Sequence, residues 1–150
     1  MTNPAQPVHL IKLCVGASSI DDLAEWQAHC LRVAQAKGRP GELLHVTRQT
    51  PRRVGVGAGS SLYWVIKGFV TVRQKLIALR ELEGSDGITR CAFVLAPELI
   101  PTELQPRRPF QGWRYLDAAD APRDLSAAAQ AYAAHMPAGM RRQLAEMALL

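Results

Sequence analysis

Three β-prone stretches, separated only by short glycine-containing segments, occupy residues 61–95 and restrict the fold more than anything else in the chain. Residues 61–66 (SLYWVI) are rich in β-branched and aromatic side chains, and Gly68 then marks a bend or bulge. Residues 69–82 fit either a helical or a strand period. The tight turn at 84–87 (GSDG) and the apolar run at 88–95 favour a strand with an antiparallel partner.

The flanking segments add further strands. Residues 8–15 and 43–47 are predicted strands because apolar side chains dominate them and a glycine or a proline-containing turn follows. Four prolines predict an extended, irregular course for 96–109, and residues 110–116 return as a short edge strand. We therefore expect a mostly antiparallel, partly closed sheet.

Helices are predicted at both ends of the chain. Ser18 and Ser19 precede two aspartates, a capping pattern that begins an amphipathic helix ending near residue 37. Its apolar face is predicted to comprise Ile20, Leu23, Trp26, Cys30, Leu31 and Ala34. Two more helices are expected near 126–135 and 140–149. The prediction is thus an α+β fold, with residues 1–125 as a single domain and 126–150 as an Ala-rich helical extension packing on it.

Length and composition support one globular domain. A chain of 150 residues that is 48% hydrophobic buries a sufficient core without a metal or disulfide staple. The three cysteines (Cys14, Cys30 and Cys91) form no CxxC pair and lie in apolar surroundings, which is typical of free thiols in a reducing compartment. Neither a signal peptide nor a membrane span is recognisable, so we expect a cytoplasmic protein.

Positive charge is concentrated in one part of the chain. The formal net charge is +5, yet residues 41–80 hold seven Lys or Arg residues and one Glu, a local balance of +6. The other 110 residues therefore sum to −1. A local surplus of this kind is typical of a site for phosphate or another polyanion, although basic residues that simply face water give the same pattern.

Arginines also stand beside aromatic residues in two separate segments, 45–67 and 106–115. Arg pairs bidentately with phosphate oxygens, and rings beside cations hold single-stranded bases. The alternative interpretation is that the rings are core anchors over which the arginines extend. The predicted anion-binding residues are Arg48, Arg52, Arg53, Lys67, Arg73, Arg107, Arg108 and Arg114, and the predicted stacking residues are Tyr63, Trp64 and Trp113.

Other chemistries have weaker support. The glycine-rich loop at 55–59 is followed by a β-prone run rather than a helix, so a nucleotide-binding loop is disfavoured. The four histidines show no metal-ligand spacing, and no metal or cofactor is indicated. His45 is a weak candidate for a catalytic base, with Arg48 or Arg108 as an oxyanion clamp.

Four motifs resemble a known family: residues 9–16 (HLIKLCVG), 45–48 (HVTR), 61–68 (SLYWVIKG) and 107–116 (RRPFQGWRYL). They are similar to bacterial proteins of the domain of unknown function family 1489, and the resemblance covers roughly residues 8–125. It implies no particular activity.

A fainter likeness is to RNA-binding β-barrels of the PUA and ASCH type, whose order of proline segment, glycine turn and basic residues is loosely followed by Thr50-Pro51-Arg52, Gly59, Lys67 and Arg73. The leading hypothesis is binding of RNA or a nucleotide-like polyanion. The alternatives are an enzyme acting on a small anionic substrate and a protein-interaction module, and the oligomeric state is left open.

Overall fold

A computed structural model describes residues 7–38, 41–52 and 59–133 of the protein. It contains a seven-stranded sheet with two helices, an α+β architecture. The elements in chain order are β1 (Val8–Leu13), α1 (Ile20–Ala36), β2 (Leu43–Thr47), β3 (Ser61–Ile66), β4 (Phe69–Glu83), β5 (Thr89–Leu95), β6 (Ile100–Pro106), β7 (Trp113–Asp117), a short 3-10 turn (Ala118–Asp120) and α2 (Ala127–Ala133).

The sheet is mixed and is organised around β4. Its main path runs β2-β5-β4-β3-β1-β7, and β6 pairs with β4 off this path. β1 and β3 run parallel, with Leu10 opposite Leu62. The pairs β1–β7, β2–β5, β3–β4, β4–β5 and β4–β6 are antiparallel. The strands predicted at 43–47 and 61–66 have those same bounds, and the ambiguous segment after Gly68 is a strand.

The sheet is not closed, which corrects the expectation of partial closure. β2 and β7 lie at opposite ends of the path, and no ladder joins them in the described part of the chain. The physical reason is local: β2 ends at Thr47, and the backbone bends away at Arg48 and Gln49. The backbone groups beyond that bend are therefore not aligned for a ladder, and side chains make the contact instead.

A two-residue turn joins β3 to β4. Lys67 and Gly68 both have positive φ values, of 53° and 85°, and Ile66 lies opposite Phe69. Positive φ at both central positions is the type I′ geometry, whose twist matches that of the flanking strands. Gly68 supplies this conformation without a Cβ penalty, whereas Lys67 adopts it less readily. The predicted bend at Gly68 is therefore the turn of a tight hairpin.

β6 corrects the prediction that residues 96–109 are irregular. It pairs with the first half of β4, with Phe69 opposite Pro106 and Arg73 opposite Ile100. Its prolines, Pro101 and Pro106, lie near the strand ends, where a missing N–H disturbs the ladder least. On its other edge, the Leu125 amide donates to the Pro101 carbonyl at 3.0 Å.

Alternation along the strands divides the core into two clusters, one on each face of the sheet. The larger cluster includes Leu10, Leu62, Trp64 and Phe93, and α1 contributes Leu23 to it. The smaller cluster consists of Ile11, Tyr63, Val65, Val70 and Leu116.

Helix α1 begins as predicted, and the predicted face packs toward the sheet except at Trp26: Leu23 is buried, and Ile20 and Leu31 pack against the larger core cluster. The Ser19 side chain accepts a hydrogen bond from the Asp22 amide at 3.1 Å, which confirms the predicted cap. The predicted core residue Trp26 is instead 63% exposed, and its neighbour Gln27 is buried. A polar residue thus occupies the position facing the sheet.

Gln27 is tolerated there because a second amide meets it. Gln27 Nε2 donates to Gln74 Oε1 at 2.7 Å, and Gln74 Nε2 donates to Gln27 Oε1 at 2.9 Å. Gln74 Oε1 also accepts from the indole Nε1 of Trp64 at 2.9 Å, and Gln74 Nε2 also donates to the Ala96 carbonyl at 3.0 Å. Both amide hydrogens of Gln74 and both lone pairs of its oxygen are therefore used.

The C-terminal part of the fold is described only in part. The Ala129 amide donates to Ser126 Oγ at 3.1 Å, so Ser126 caps α2. The helix predicted at 140–149 lies outside the described residues. Neither of the described helices combines the length and apolar content that a bilayer crossing requires.

Replacing Gln74 with leucine is expected to lower the free energy of unfolding by about 3–5 kcal/mol, because Trp64 Nε1, the Ala96 carbonyl and the Gln27 amide lose their buried partner. Gln27→Leu is expected to lower the free energy of unfolding by less, because Gln74 keeps its hydrogen bonds to Trp64 and Ala96. Urea unfolding measures both. Gln35→Leu, on the exposed side of α1, is the control and should change stability by less than about 0.5 kcal/mol. A loss for Gln74→Leu equal to that of the control would contradict this account.

Candidate functional site

The two arginine-bearing segments meet beside β7. Trp113 Nε1 donates to the Gln49 carbonyl at 2.9 Å, and the Arg52 amide donates to the Tyr115 hydroxyl at 2.9 Å. Trp113 and Tyr115 are two residues apart on one strand, so their side chains lie on the same face. The two rings also contact each other edge to face, with centroids 4.9 Å apart. Together they hold the segment 48–52 against the last strand of the sheet.

The two segments and the β3–β4 turn carry exposed cations. Arg48, Arg52, Lys67, Arg108 and Arg114 are exposed, and Arg107 is half-buried. Within residues 7–38, 41–52 and 59–133, none of these six has a carboxylate within 4.0 Å. Arg53, also predicted to bind anions, lies outside the described residues. The six side chains listed here are called the cationic rim below.

The cationic rim wraps around the edge of the sheet rather than lying on one flat face. Trp113 and Tyr115 pack toward the larger core cluster. Arg114 falls between them on the strand and therefore points to the opposite side, where its guanidinium lies 4.9 Å from the Phe110 ring centroid.

Two further members of the rim lie at the β3–β4 turn. The Arg107 amide donates to the Gly68 carbonyl at 2.8 Å, which places Arg107 beside the residue that follows Lys67. The guanidinium of Arg107 is oriented by Gln105, whose Oε1 accepts from Nε at 3.1 Å and from Nη2 at 2.7 Å. Gln105 is neutral, so this contact orients the positive charge without neutralising it.

Arg73 differs from the cationic rim and corrects the prediction that it is free to bind an anion. Its Nε and Nη2 donate to the two carboxylate oxygens of Asp124 at 2.7 and 2.8 Å, and its Nη1 donates to Ser61 Oγ. These hydrogen bonds lower the pKa of Asp124 below its usual value. The pair fastens residues 123–125 to the sheet beside β6, where Thr102 lies opposite Asp124. The charge of Arg73 is therefore already matched.

Two of the three predicted stacking rings lie in the core. Tyr63 and Trp64 are 5% and 3% exposed, so neither presents a ring face to a base. Trp64 is held by Gln74, and Tyr63 packs edge-on to His9 with centroids 5.2 Å apart. Trp113 is half-buried at the junction. The ring that sequence reasoning missed is Tyr115, and its position two residues after Trp113 in a predicted strand was the available signal.

An open cleft of about 430 Å³ lies next to the cationic rim. It is bounded by the end of β6, by β7 and by the 3-10 turn, with lining residues Gln105, Pro106, Arg107, Tyr115, Leu116, Asp117 and Asp120. Gln105 Nε2 donates to the Asp120 carbonyl at 3.0 Å across this region. The cleft therefore presents both an arginine and aspartates to solvent.

His45, the candidate base, lies against the core. Its ring meets the edge of Trp64 with centroids 5.0 Å apart, and its Nε2 has no hydrogen-bond partner in the described part of the chain. Burial, with a smaller effect of Lys12, lowers the pKa of His45 to about 4. The imidazole is thus neutral at pH 7 and is a weak base.

Within residues 7–38, 41–52 and 59–133, no other group supplies an obvious nucleophile or ligand cluster. Burial raises the pKa of the Cys14 thiol to about 11, so the thiolate that would react is scarce at neutral pH. Among the described residues there is no group of three or more His, Cys, Asp or Glu side chains that could hold a metal ion.

Comparison with known proteins gave a single type of match. A protein-family model described as "Protein of unknown function (DUF1489)" matches residues 10–150. No curated protein and no solved structure matches the chain.

Trp113→Leu is expected to release the segment 48–52, because it removes the hydrogen bond to the Gln49 carbonyl and the contact with Tyr115. Limited trypsin digestion reports this, since cleavage after Arg48 and Arg52 should accelerate several-fold as the segment opens locally. Trp26→Leu, at an exposed ring of α1, is the matched control and should leave the cleavage pattern unchanged. Equal cleavage rates in the two variants would show that Trp113 does not hold the segment.

His45 is expected to make the protein less stable in mild acid. Because its pKa is about 4 in the folded chain and about 6.5 when unfolded, the unfolded state binds more protons between these values. The free energy of unfolding should therefore fall as pH drops from 6.5 toward 4. Burial and Arg73 also lower the pKa of His9, which acts in the same direction.

Urea unfolding at pH 7 and pH 4.5 measures the contribution of His45. We expect the pH-dependent loss to be smaller in His45→Leu than in the wild type, by on the order of 1–2 kcal/mol. His29→Leu, at an exposed histidine of α1, should keep the wild-type loss. An identical loss in His45→Leu and the wild type would mean that His45 is not buried as described.

Proposed function

We propose that this chain, which belongs to the family described as protein of unknown function (DUF1489), binds RNA or a nucleotide-like polyanion at the cationic rim. The observation that carries this proposal is the meeting of two distant cationic segments at Trp113 and Tyr115. Charges that are far apart in sequence are thereby gathered around one edge of the sheet.

The charge balance supports the proposal. Arg73, Arg80 and Arg90 each pair with a carboxylate, at 2.7, 2.9 and 2.8 Å. The members of the cationic rim have no such partner among the described residues. An arginine that is exposed and unpaired keeps its full capacity for bidentate bonding to phosphate oxygens. Arg73, Arg80 and Arg90 thus stabilise the fold, whereas the arginines of the cationic rim are available to a ligand.

The proposed mechanism combines phosphate neutralisation with contacts to bases. Arg52, Arg108 and Arg114 would contact successive phosphates, and the exposed part of Trp113 would stack on a base. Arg107, fixed by Gln105, would place its charge at the mouth of the adjacent cleft. Stacking of this kind requires unpaired bases, so single-stranded RNA is favoured over a duplex.

Two further expectations belong to the same proposal. We place the protein in the cytoplasm, where RNA and nucleotides are available and its free thiols stay reduced. We also propose a likeness to PUA-type RNA-binding proteins, which rests on the sequence alone. The order of a proline segment, a glycine turn and basic residues supports that likeness.

The alternatives differ from this proposal in measurable ways. An enzyme with His45 as base would need that imidazole to take up a proton near neutral pH, and a pKa of about 4 disfavours it. A protein-interaction module would retain its partner in cell lysate after nuclease treatment, whereas an RNA-binding protein would not. Size-exclusion chromatography with and without nuclease separates these two.

The double variant Arg108→Gln/Arg114→Gln is expected to weaken binding to a mixed-sequence single-stranded RNA by at least about tenfold. It should also reduce the slope of log K against log salt by about 1.4, since two phosphate contacts are lost. Fluorescence anisotropy at four salt concentrations measures both quantities.

Arg32→Gln/Lys37→Gln is the matched control, because it removes the same charge from the surface of α1 and the residue that follows it. It should retain most of the affinity and the wild-type slope. Equal losses of affinity in the two double variants would show that RNA is attracted only by the net charge of the protein. Failure of the wild type to bind RNA at low salt, or binding indifferent to salt, would reject the proposal.

A further inference from the structure

Among the described strands, β2 is an edge strand that carries no lysine, proline or bulge. It is the terminal strand of the sheet path, and β5 is its ladder partner among the described strands. Edge strands are commonly protected by a lysine, a proline or a bulge. Residues 43–47 (LLHVT) contain neither lysine nor proline, and their pairing with β5 is regular.

The outward face of β2 is apolar and unusually exposed. Leu44 and Val46 alternate with inward-facing residues and are 47% and 46% exposed. They lie opposite Val94 and Ala92 of β5, both of which are buried. The apolar face of β5 therefore continues onto β2, at the edge of the sheet.

The sequence around β2 is complementary to itself when reversed. In an antiparallel pairing centred on His45, this residue lies opposite His45 of the second copy. Residues at equal distances before and after His45 then lie opposite each other. Leu44 then faces Val46 of the second copy, and Glu42, just before β2, comes to the same end of the pairing as Arg48, at the bend just after it. Each contact occurs twice by symmetry, so opposite charges lie at both ends of an apolar centre.

We propose that two copies of this chain associate through β2, antiparallel and centred on His45, so that their sheets become continuous. Opposite-charge and apolar pairs directly across antiparallel strands each stabilise the sheet, whereas like charges there destabilise it. Only this register matches Glu42 with Arg48 at both ends. The charges therefore select the register as well as the partner.

The contacts within one chain are compatible with this pairing. Arg80 binds the Glu42 carboxylate at 2.9 and 3.0 Å and so holds it on the outer surface. A carboxylate has about four acceptor positions, so Glu42 can accept from a second guanidinium as well. On the inner face, two His45 side chains meet at the axis, and they are uncharged at neutral pH because burial lowers their pKa to about 4.

Sedimentation equilibrium of nucleic-acid-free protein over a range of concentrations tests the pairing. The wild type is expected to dimerise with a dissociation constant of roughly 1–100 µM, since a single strand edge buries a small interface. Arg48→Glu and Glu42→Arg alone should each weaken dimerisation by at least about tenfold, because each places like charges opposite one another at both ends.

The decisive measurement mixes the two charge-reversed variants in equal amounts. One chain then carries carboxylates at both positions 42 and 48, and the other carries guanidinium groups at both. Opposite charges again face each other at the two ends, so the dimer should return as a heterodimer. Recovery in the mixture excludes misfolding of either variant as the cause of their individual losses. Absence of recovery, with circular dichroism showing both variants folded, would overturn the proposed register.

Two lysine substitutions, Val46→Lys and Ile77→Lys, test the apolar part of the proposed interface. Val46→Lys should abolish the dimer, because it places a charge opposite Leu44 of the second copy. Ile77→Lys changes a similarly exposed apolar residue on β4, 54% accessible, and should leave the dissociation constant unchanged. A wild type that stays monomeric up to about 500 µM, or equal effects of the two lysines, would overturn the proposal.

Discussion

The buried amide of Gln74 is the contact on which the arrangement of the core depends. Its four hydrogen bonds join helix α1 through Gln27, strand β3 through Trp64 and the β5–β6 connection through Ala96. A polar group in an apolar core is costly unless every donor and acceptor is satisfied, and here each one is. The network therefore admits one placement of α1 over the sheet, and any rotation of the helix would leave several buried polar atoms unpaired.

The candidate site depends on a different constraint, at the far end of the sheet. Trp113 and Tyr115 bind the backbone of residues 48–52 across a gap that no ladder spans in the described part of the chain. Side-chain hydrogen bonds thus connect the two ends of the sheet, where a closed barrel would have backbone hydrogen bonds. The arginines of both segments are left exposed. In the described part of the chain, β2 has a ladder partner, β5, on one edge only. The proposed RNA surface and the proposed dimer surface both follow from the open sheet, and Arg48 belongs to both.

Much of the fold could be predicted because its signals are local. β-branched and aromatic runs, glycine turns and the Ser19 cap each act over a few residues, and the strands, the hairpin turn and the cap all appear in the structure. The errors arose where a distant partner changes the meaning of a residue. Gln27 is buried and Trp26 exposed because Gln74, far away in sequence, supplies a matching amide. Arg73 is neutralised by Asp124, which periodicity could not pair with it.

The amino-acid order alone established the strand segments other than β6, the capped first helix and the two clusters of positive charge, since propensity and charge are properties of neighbouring residues. Folding decided which rings are buried and which guanidinium groups are neutralised. It also decided whether the two clusters of positive charge meet. Those properties depend on contacts between residues about 50 positions or more apart, such as Arg73 with Asp124 and Gln49 with Trp113. Such contacts are set by the packing of the whole sheet, and no local pattern in the chain encodes them.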